Sequence, residues 1–163
     1  MNEQFFTAEV KARERSLYRI AVSYLRNDAD AADAVQDALL KAWEKRDTLR
    51  VPAHFGTWLT RILINTCKGR LRGRTLEIAL AEVPDEGTQG VSEDALVLRA
   101  ALDSLDLKYR IPLVLHYLDG YPVKEVARIM GLPVGTVKSR LSRAKGQMQT
   151  RLINQEVFDD ETK

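Results

Sequence analysis

Residues Tyr121 to Lys145 read YPVKEVARIMGLPVGTVKSRLSRAK and contain the most informative pattern of the sequence. In its first half, apolar residues recur at the spacing of one helical face, which predicts a short helix. Gly131 ends that helix, because glycine adopts the left-handed conformation of a C-cap without a Cβ clash. Pro133 cannot extend the first helix and precedes a second one. Helix, tight turn and helix in this order predict a helix-turn-helix, whose second helix enters a DNA major groove.

The second helix of this motif has an apolar face and an opposite face of small and basic residues. The residues expected to be buried are Val134, Val137, Leu141, Ala144 and Met148. The opposite face and its flanks carry the candidate DNA-binding residues Thr136, Lys138, Ser139, Arg140, Ser142 and Arg143. Small residues around one arginine permit close approach to a major groove, where arginine can donate two hydrogen bonds to guanine. A solvated basic helix would show the same charges, and the turn residues favour DNA binding over that alternative.

The composition indicates packed cores and no membrane segment. With 163 residues, 45% of them hydrophobic, and a net charge of +2, the chain suits one ordinary domain or two small ones. No apolar run approaches the roughly 20 residues that span a bilayer, and the N-terminal residues lack the apolar core of a signal peptide. The single cysteine, Cys67, excludes an internal disulfide and a cysteine-based zinc site. We therefore expect a cytoplasmic protein without metal, cofactor or membrane insertion.

A first amphipathic helix is predicted over residues 9–25, and a second over residues 30–46 has two distinct faces. Its inner face is apolar and consists of Ala31, Val35, Ala38, Leu39 and Ala42. Its outer face is polar except at one position and includes Asp33, Gln36, Asp37 and Leu40. Such a face is solvated by default. Because Leu40 is an apolar residue among acids, the pattern favours a partner surface.

A third helix, predicted over residues 54–72, carries a basic stripe. Its members recur at helical spacing, with an aromatic residue beside them: Trp58, Arg61, Asn65, Lys68 and Arg72. This combination suits single-stranded or partly melted nucleic acid, because bases stack on the ring while cations follow the phosphates. A core position for Trp58 is the alternative that the sequence leaves open.

Residues 75–91 differ in composition from what precedes them. They contain acidic residues without a basic one, together with Pro84, Gly87 and Gly90, which argue against a continuous helix. We interpret them as an acidic linker, and a plain solvated tether is the alternative. The acidic C-terminal tail, residues 156–163, has a similar character.

Two further helices precede the helix-turn-helix. Ser92 is a predicted N-cap, and the helix after it, to about residue 104, is expected to bury Ala95, Leu98, Leu102 and Leu105. A helix over residues 109–118 should hold Pro112 in its first turn or be kinked there. No strand pattern occurs. The predicted fold is therefore all-α, with two small helical domains joined by a flexible acidic linker and the second ending in the helix-turn-helix.

Along nearly its whole length, the chain resembles an extracytoplasmic-function (ECF) sigma factor, the minimal sigma subunit of bacterial RNA polymerase. Three segments carry the resemblance: DAADAVQDALLKAW at residues 30–43, FGTWLTRILINTCKGRLR at residues 55–72, and residues 105–144 with the motif GTVKSRLSRA. The resemblance implies four parts. These are sigma region 2 (1–74), the acidic linker (75–91), sigma region 4 (92–155) and the acidic tail (156–163).

The resemblance also implies roles for the surfaces described above. Asp33, Gln36, Asp37 and Leu40 would dock on the clamp coiled coil of the polymerase β′ subunit. Residues 47–53 would capture a flipped base of the −10 element, while Trp58, Arg61 and Asn65 help open and hold the strand. Lys68 and Arg72 would bind the −10 DNA beside them. Ser139, Ser142 and Arg143 would read the −35 element, with Thr136, Lys138 and Arg140 on phosphates. The linker would enter the polymerase, and an anti-sigma factor is expected as a regulator.

Two other classes of protein would account for part of the sequence. An autonomous helix-turn-helix regulator explains the C-terminal half but gives the faces of residues 30–72 no role. A nucleic-acid enzyme such as a recombinase needs a nucleophile with partners or a cluster of metal-ligating carboxylates. His54 and His116 are far apart in sequence and no such cluster stands out. The sequence therefore predicts a binding protein and not an enzyme.

Overall fold

In the computed structural model, the backbone is described for residues 1–78 and 92–161, and the side chains for residues 1–73 and 92–153. These ranges contain seven α-helices and no strand, as the sequence predicts. The helices are α1 (Glu3–Leu25), α2 (Asp28–Glu44), α3 (Phe55–Ile78), α4 (Glu93–Asp103), α5 (Leu107–Leu113), α6 (Val123–Met130) and α7 (Val134–Glu161). None of the described helices is long and apolar enough to cross a bilayer. The side chains of the acidic linker and of the tail lie outside the described residues.

The first three helices form a bundle whose close packing depends on alanine. α2 buries four small residues against α1 and α3, namely Ala31, Ala34, Ala38 and Ala42. They recur at i, i+3, i+7 and i+11, so the centre of the buried face lies beside Ala34, which was not predicted to be inside. Val35 and Leu39, which were predicted there, are only partly buried at its edge.

α1 begins at Glu3, earlier than the predicted residue 9. Asn2 caps it, because its side-chain oxygen accepts a hydrogen bond from the backbone N–H of Phe5 at 2.8 Å. Phe5 and Phe6 then meet the ring of Phe55 edge-on, with ring centroids 5.9 and 5.7 Å apart. These aromatic contacts fix the start of α1 on the start of α3.

In the second half of the chain, a capping side chain and a proline set the bounds of the first two helices. Ser92 caps α4 as predicted, since its hydroxyl accepts a hydrogen bond from the backbone N–H three residues later at 3.3 Å. α5 begins at Leu107, so Pro112 lies in its interior and not in its first turn. Because proline has no N–H to donate, the regular helix ends one residue later and continues as a π-helical turn, Val114–Leu118.

The helix-turn-helix forms as predicted, with α6 and α7 as its helices. Gly131 has the expected left-handed conformation, with φ of 67°, and its N–H donates to the Ala127 carbonyl. Four of the five predicted inner residues of α7 are buried: Val137, Leu141, Ala144 and Met148. The fifth, Val134, is 37% exposed, so that prediction was wrong. It is the first residue of α7 and directly follows the tight turn.

α4 is attached by its C-terminal half. Leu105 is buried and Leu102 is partly buried, as expected, but Ala95 and Leu98 are exposed, so their predicted burial was wrong. The reason is that the N-terminal half of α4 borders an open groove of about 500 Å³ between α4 and α1. Tyr18 of α1 lines the other side of this groove.

The two halves pack against each other. A single cluster of buried apolar side chains joins residues of α1, α2 and α3 with residues of α5, α6 and α7. A smaller cluster lies within the second half and consists of Ala101, Leu105, Tyr109, Leu113, Ala144 and Met148. The larger cluster therefore fixes the orientation of the two helical domains, which the sequence left undetermined.

Candidate polymerase and nucleic-acid interfaces

The predicted polymerase-docking residues, Asp33, Gln36, Asp37 and Leu40, lie together on the outer side of α2; we call them the acidic face. Asp33 and Gln36 are exposed, and Leu40, one turn after Gln36 on the same side of the helix, is 64% exposed. An apolar side chain exposed to this degree inside a polar ring is typical of the core and rim of an interface.

Asp37 differs from its neighbours because α3 holds it. The guanidinium of Arg70 forms a hydrogen-bonded ion pair with the Asp37 carboxylate. That hydrogen bond is the main cause of the raised pKa of Arg70, and the negative charges of Asp33 and Asp30 raise this pKa further. Sequence reasoning missed Arg70, since nothing local to α3 indicates which residue of α2 it meets. One carboxylate of the acidic face is thus oriented by α3.

The predicted −10 residues, Trp58, Arg61, Asn65, Lys68 and Arg72, lie along one side of α3; we call them the basic stripe. Arg61, Asn65 and Arg72 are exposed and Lys68 is half-buried. Within the described side chains, no ion pair involves Arg61, Lys68 or Arg72. Among the described side chains, no acid competes with a phosphate for these three cations. Lys68 and Arg72 also line a cavity of about 310 Å³ beside Tyr24 of α1.

Trp58 combines features of the two positions that the sequence left open, a core position and a place on a nucleic-acid surface. Its ring is half-buried and packs at a tilt on Phe55, with centroids 5.6 Å apart. Its indole N–H donates to the Thr48 hydroxyl at 3.3 Å. Thr48 belongs to one of two short 3-10 turns, Arg46–Thr48 and Pro52–His54, that form the connection between α2 and α3. Trp58 thus anchors the predicted base-capturing loop to α3.

The predicted −35 residues, Thr136, Lys138, Ser139, Arg140, Ser142 and Arg143, lie on the outer side of α7; we call them the recognition face. Lys138, Ser139, Ser142 and Arg143 are exposed, while Thr136 and Arg140 are half-buried. The buried residues of α7 hold the opposite side against the rest of the second half. The recognition face is therefore a rigid outer surface of small and basic residues.

Two residues of α5 extend the recognition face, and sequence reasoning missed both. Lys108 and Tyr109 line a polar concavity of about 390 Å³ together with Gly135, Thr136, Ser139, Arg140 and Arg143. The Lys108 ammonium lies 5.0 Å from the centre of the Tyr109 ring. The ring itself belongs to the smaller buried cluster. A hydrogen bond with Arg143 is the main cause that lowers the pKa of the Tyr109 hydroxyl.

The described residues offer no constellation typical of an enzyme. No group of three histidine, cysteine, aspartate or glutamate side chains among them could hold a metal ion. Burial raises the pKa of the Cys67 thiol to about 12, as expected for an apolar filler. His116 Nδ1 lies 2.7 Å from the Tyr121 carbonyl oxygen, and His54 is exposed in a turn. The His116 ring also meets the Tyr117 ring edge-on, with centroids 4.9 Å apart.

Comparison with known families gives matches in both halves. The family Sigma-70 region 2 matches residues 10–77, and the family Sigma-70, region 4 matches residues 95–148. The ECF RNA polymerase sigma factor SigM of Mycobacterium tuberculosis is 34% identical over 144 residues, covering 85% of this chain and 72% of the relative. The RNA polymerase sigma factor SigV of Bacillus subtilis is 31% identical over 148 residues, covering 88% of this chain and 89% of the relative.

Solved structures are similar over both halves as well. The sigma factor RpoE from Bartonella quintana, in complex with the anti-sigma factor NepR, matches with a TM-score of 0.79 and 31% identity, covering 90% of this chain and 96% of that one. CnrH in complex with the cytosolic domain of CnrY matches with a TM-score of 0.71 and 27% identity, covering 94% of this chain and 90% of that one.

Proposed function

The chain belongs to the family of ECF RNA polymerase sigma factors. We propose that each of its three surfaces carries out one step of promoter-dependent transcription initiation. The chain binds core RNA polymerase, recognises the −10 and −35 promoter elements and initiates transcription. RNA synthesis takes place in the core enzyme, and this chain contributes binding surfaces without catalytic groups of its own. It works in the cytoplasm, where core polymerase and the chromosome are.

The acidic face docks on core polymerase, at the clamp coiled coil of the β′ subunit. The exposed Leu40 supplies the apolar centre of the contact, and the surrounding acids supply a polar rim. Asp37 is the best-oriented acid, because its ion pair with Arg70 limits the side chain to one geometry. Charges of one sign around an apolar centre select an oppositely charged partner and raise the rate of association.

The basic stripe and its neighbouring loop open the −10 element. Taking a base out of the stack costs a few kcal/mol, which contacts to that base and to the strand must offset. The loop between α2 and α3 receives the base, and the Trp58–Thr48 hydrogen bond keeps that loop at the end of the stripe. Arg61, Lys68 and Arg72 then follow the phosphates of the separated strand.

The recognition face reads the −35 element in the major groove. Arg143 is the long cation at its centre and bonds a guanine edge, while Lys138 and Arg140 contact phosphates. Tyr109 positions the Arg143 guanidinium, and Lys108 adds a phosphate contact from outside the helix-turn-helix; the shared concavity supports both roles. A cation held in place loses less conformational freedom when it binds.

Two further parts of the function involve regions or partners that the structure does not describe. The acidic linker, residues 79–91 of which lie outside the described backbone, enters the path toward the polymerase active site and imitates nucleic acid by its charge. Of the two solved relatives, one is in complex with the anti-sigma factor NepR and the other with the cytosolic domain of CnrY. We infer that a partner of the same class controls this chain.

The observation that carries the proposal is the presence of all three surfaces on a chain that matches both sigma regions. The test is transcription by core polymerase with and without the chain on a genomic promoter library, with RNA 5′ ends mapped by sequencing. We expect new start sites that share −10 and −35 sequences. Tight duplex binding without polymerase, combined with no new start sites, would instead identify an autonomous regulator.

A further inference from the structure

The cavity of about 310 Å³ beside the basic stripe lies between the end of α1 and the C-terminal part of α3. Tyr24 of α1 and Lys68, Leu71 and Arg72 of α3 line it. The tyrosine ring and the leucine side chain are apolar walls, and the two cations supply charge. Small-molecule sites in proteins begin at about 300 Å³ and combine apolar walls with a few polar groups. The cavity therefore has the size and the chemistry of a site for one small ligand.

The Tyr24 hydroxyl is a polar group without a hydrogen-bond partner among the described residues. Only 8% of the residue is exposed. A buried tyrosine hydroxyl usually finds a partner, because an unpaired polar group away from water costs free energy. Since Tyr24 lines the cavity, a ligand there can supply the missing partner.

The charges around the cavity are positive. None of the described residues that line it is acidic. Burial is the main cause of the raised pKa of Tyr24, and the charges of Arg72 and Arg110 act against it, because both favour a negative charge at the hydroxyl. Arg110 belongs to α5 and is itself buried, with 1% of the residue exposed. Cations from two helices therefore favour an anionic group beside Tyr24, and a phosphate is the anion that lysine and arginine commonly bind.

The position of the cavity on the basic stripe indicates which phosphate. Lys68 and Arg72 belong to the stripe and also line the cavity. From Trp58 to Arg72 the helix rises about 21 Å, which corresponds to roughly six nucleotides of a stacked strand. The predicted base-capturing loop lies at the Trp58 end and the cavity lies at the other. A strand that follows the cations away from the loop therefore reaches the cavity.

We propose that this cavity is a second nucleotide site, in which a base lies against Tyr24 and Leu71 and a phosphate accepts hydrogen bonds from Lys68, Arg72 and the Tyr24 hydroxyl. The ligand is a nucleoside phosphate. The separated DNA strand is the source that the stripe favours, because the same cations hold both, and this assignment of the source rests on the proposed function. A free nucleotide has the same chemistry, and the experiments below separate the two sources.

The strand is tested in the complex of the full chain with core polymerase on a template that carries a pre-melted bubble. 2-Aminopurine, which fluoresces more strongly when it is unstacked, replaces one base at a time along the non-template strand around the −10 element. We expect one bright position at the base held by the loop and a second one roughly six nucleotides away. A single bright position would exclude the strand as the source.

Two variants connect the second bright position to the cavity. Leu71→Trp fills the cavity and keeps both cations, so the second bright position should disappear and the first should remain. Tyr24→Phe removes only the hydroxyl, and the ratio of unstacked to stacked base at the second position should fall about tenfold, as expected for a hydrogen bond to a charged group. Tyr117→Phe, at a 54% exposed position outside the cavity, is the matched control and should change nothing. A folded Leu71→Trp chain that keeps both bright positions would overturn the proposal.

Free nucleotides are tested on the full chain alone, without polymerase or DNA. Adenosine and guanosine triphosphate are measured by equilibrium dialysis, with inorganic phosphate as the comparison. Binding of a triphosphate that Leu71→Trp abolishes and Tyr24→Phe weakens would assign the site to a free nucleotide. No such binding, together with a single bright position on the strand, would overturn the proposal. A wild-type chain that is inactive with core polymerase would refute the proposed function, and the dialysis would then decide the nucleotide site by itself.

Discussion

The basic stripe of α3 and the recognition face of α7 have the same charge pattern but different surroundings. Both carry cations at helical spacing without an acid on the same surface. On the recognition face, the small residues Ser139 and Ser142 lie between the cations. The basic stripe begins at Trp58, which is tied to a loop by a hydrogen bond, and ends beside a cavity under Tyr24.

The charge of the two surfaces indicates nucleic acid, while the shape beside each surface indicates whether that nucleic acid is a duplex or a separated strand. A smooth surface of small residues fits the regular groove of a duplex. A loop and a cavity beside a row of cations fit a strand whose bases have left the stack. The two surfaces should therefore respond differently to the same kind of mutation. The expected effects range from the loss of both functions to a change in a single contact.

The strongest effect should come from a variant that cannot bind core polymerase, because the basic stripe and the recognition face are then both kept away from the polymerase. Asp33→Lys reverses one charge of the acidic face, and Leu40→Glu replaces its apolar centre with a charged side chain. The ion pair between Asp37 and Arg70 stays intact. Core binding in a pull-down should be lost almost completely, because interface centres carry most of the binding energy. The circular-dichroism melt should stay near that of the wild type. Normal core binding by the folded variant would exclude this face.

The next effect separates opening from duplex recognition. Arg61→Ala or Asn65→Ala should leave assembly with core intact and reduce the permanganate reactivity of −10 thymines by about tenfold, the equivalent of one strong contact to the strand. A template with a pre-melted bubble should restore most of the activity, since the cost of unstacking has then been met. Equal defects on duplex and bubble templates would mean that the stripe does not take part in melting.

The third effect concerns sequence preference at the −35 element. Arg143→Ala should cost about 1–3 kcal/mol on the preferred sequence and relax the preference at one or two positions. Lys138→Ala serves as the comparison, because a phosphate contact should weaken all sequences alike and reduce the salt dependence. The measurement is holoenzyme binding to a −35 library at two salt concentrations. A uniform loss from both variants would show that Arg143 reads no base.

The smallest effect tests whether α5 helps the recognition face. Tyr109→Phe keeps the ring in the buried cluster and removes only the hydroxyl beside Arg143. We expect a loss of about 1 kcal/mol on the preferred −35 sequence, and no further loss when Arg143→Ala is already present. Additive losses in this double-mutant cycle would show that Tyr109 acts independently of Arg143.

Much of the fold was predictable because its signals are local. Gly131 and Ser92 act within a few residues of themselves, so their caps could be deduced from the sequence. The outward positions of Leu40, Arg61 and Asn65 follow from helical spacing. The misjudged residues, Ala95, Leu98 and Val134, are apolar positions whose burial depends on whether another helix covers them.

Local sequence patterns specify the helices, the helix-turn-helix and the charged side of each helix, because periodicity and capping are properties of a few neighbouring residues. Which side chains meet across helices depends on the packing of the whole chain. Arg70 with Asp37, Tyr109 with Arg143 and Arg19 with Asp119 join residues that are 33 to 100 positions apart. Such pairs depend on how whole helices pack, and no local pattern in the sequence records that packing.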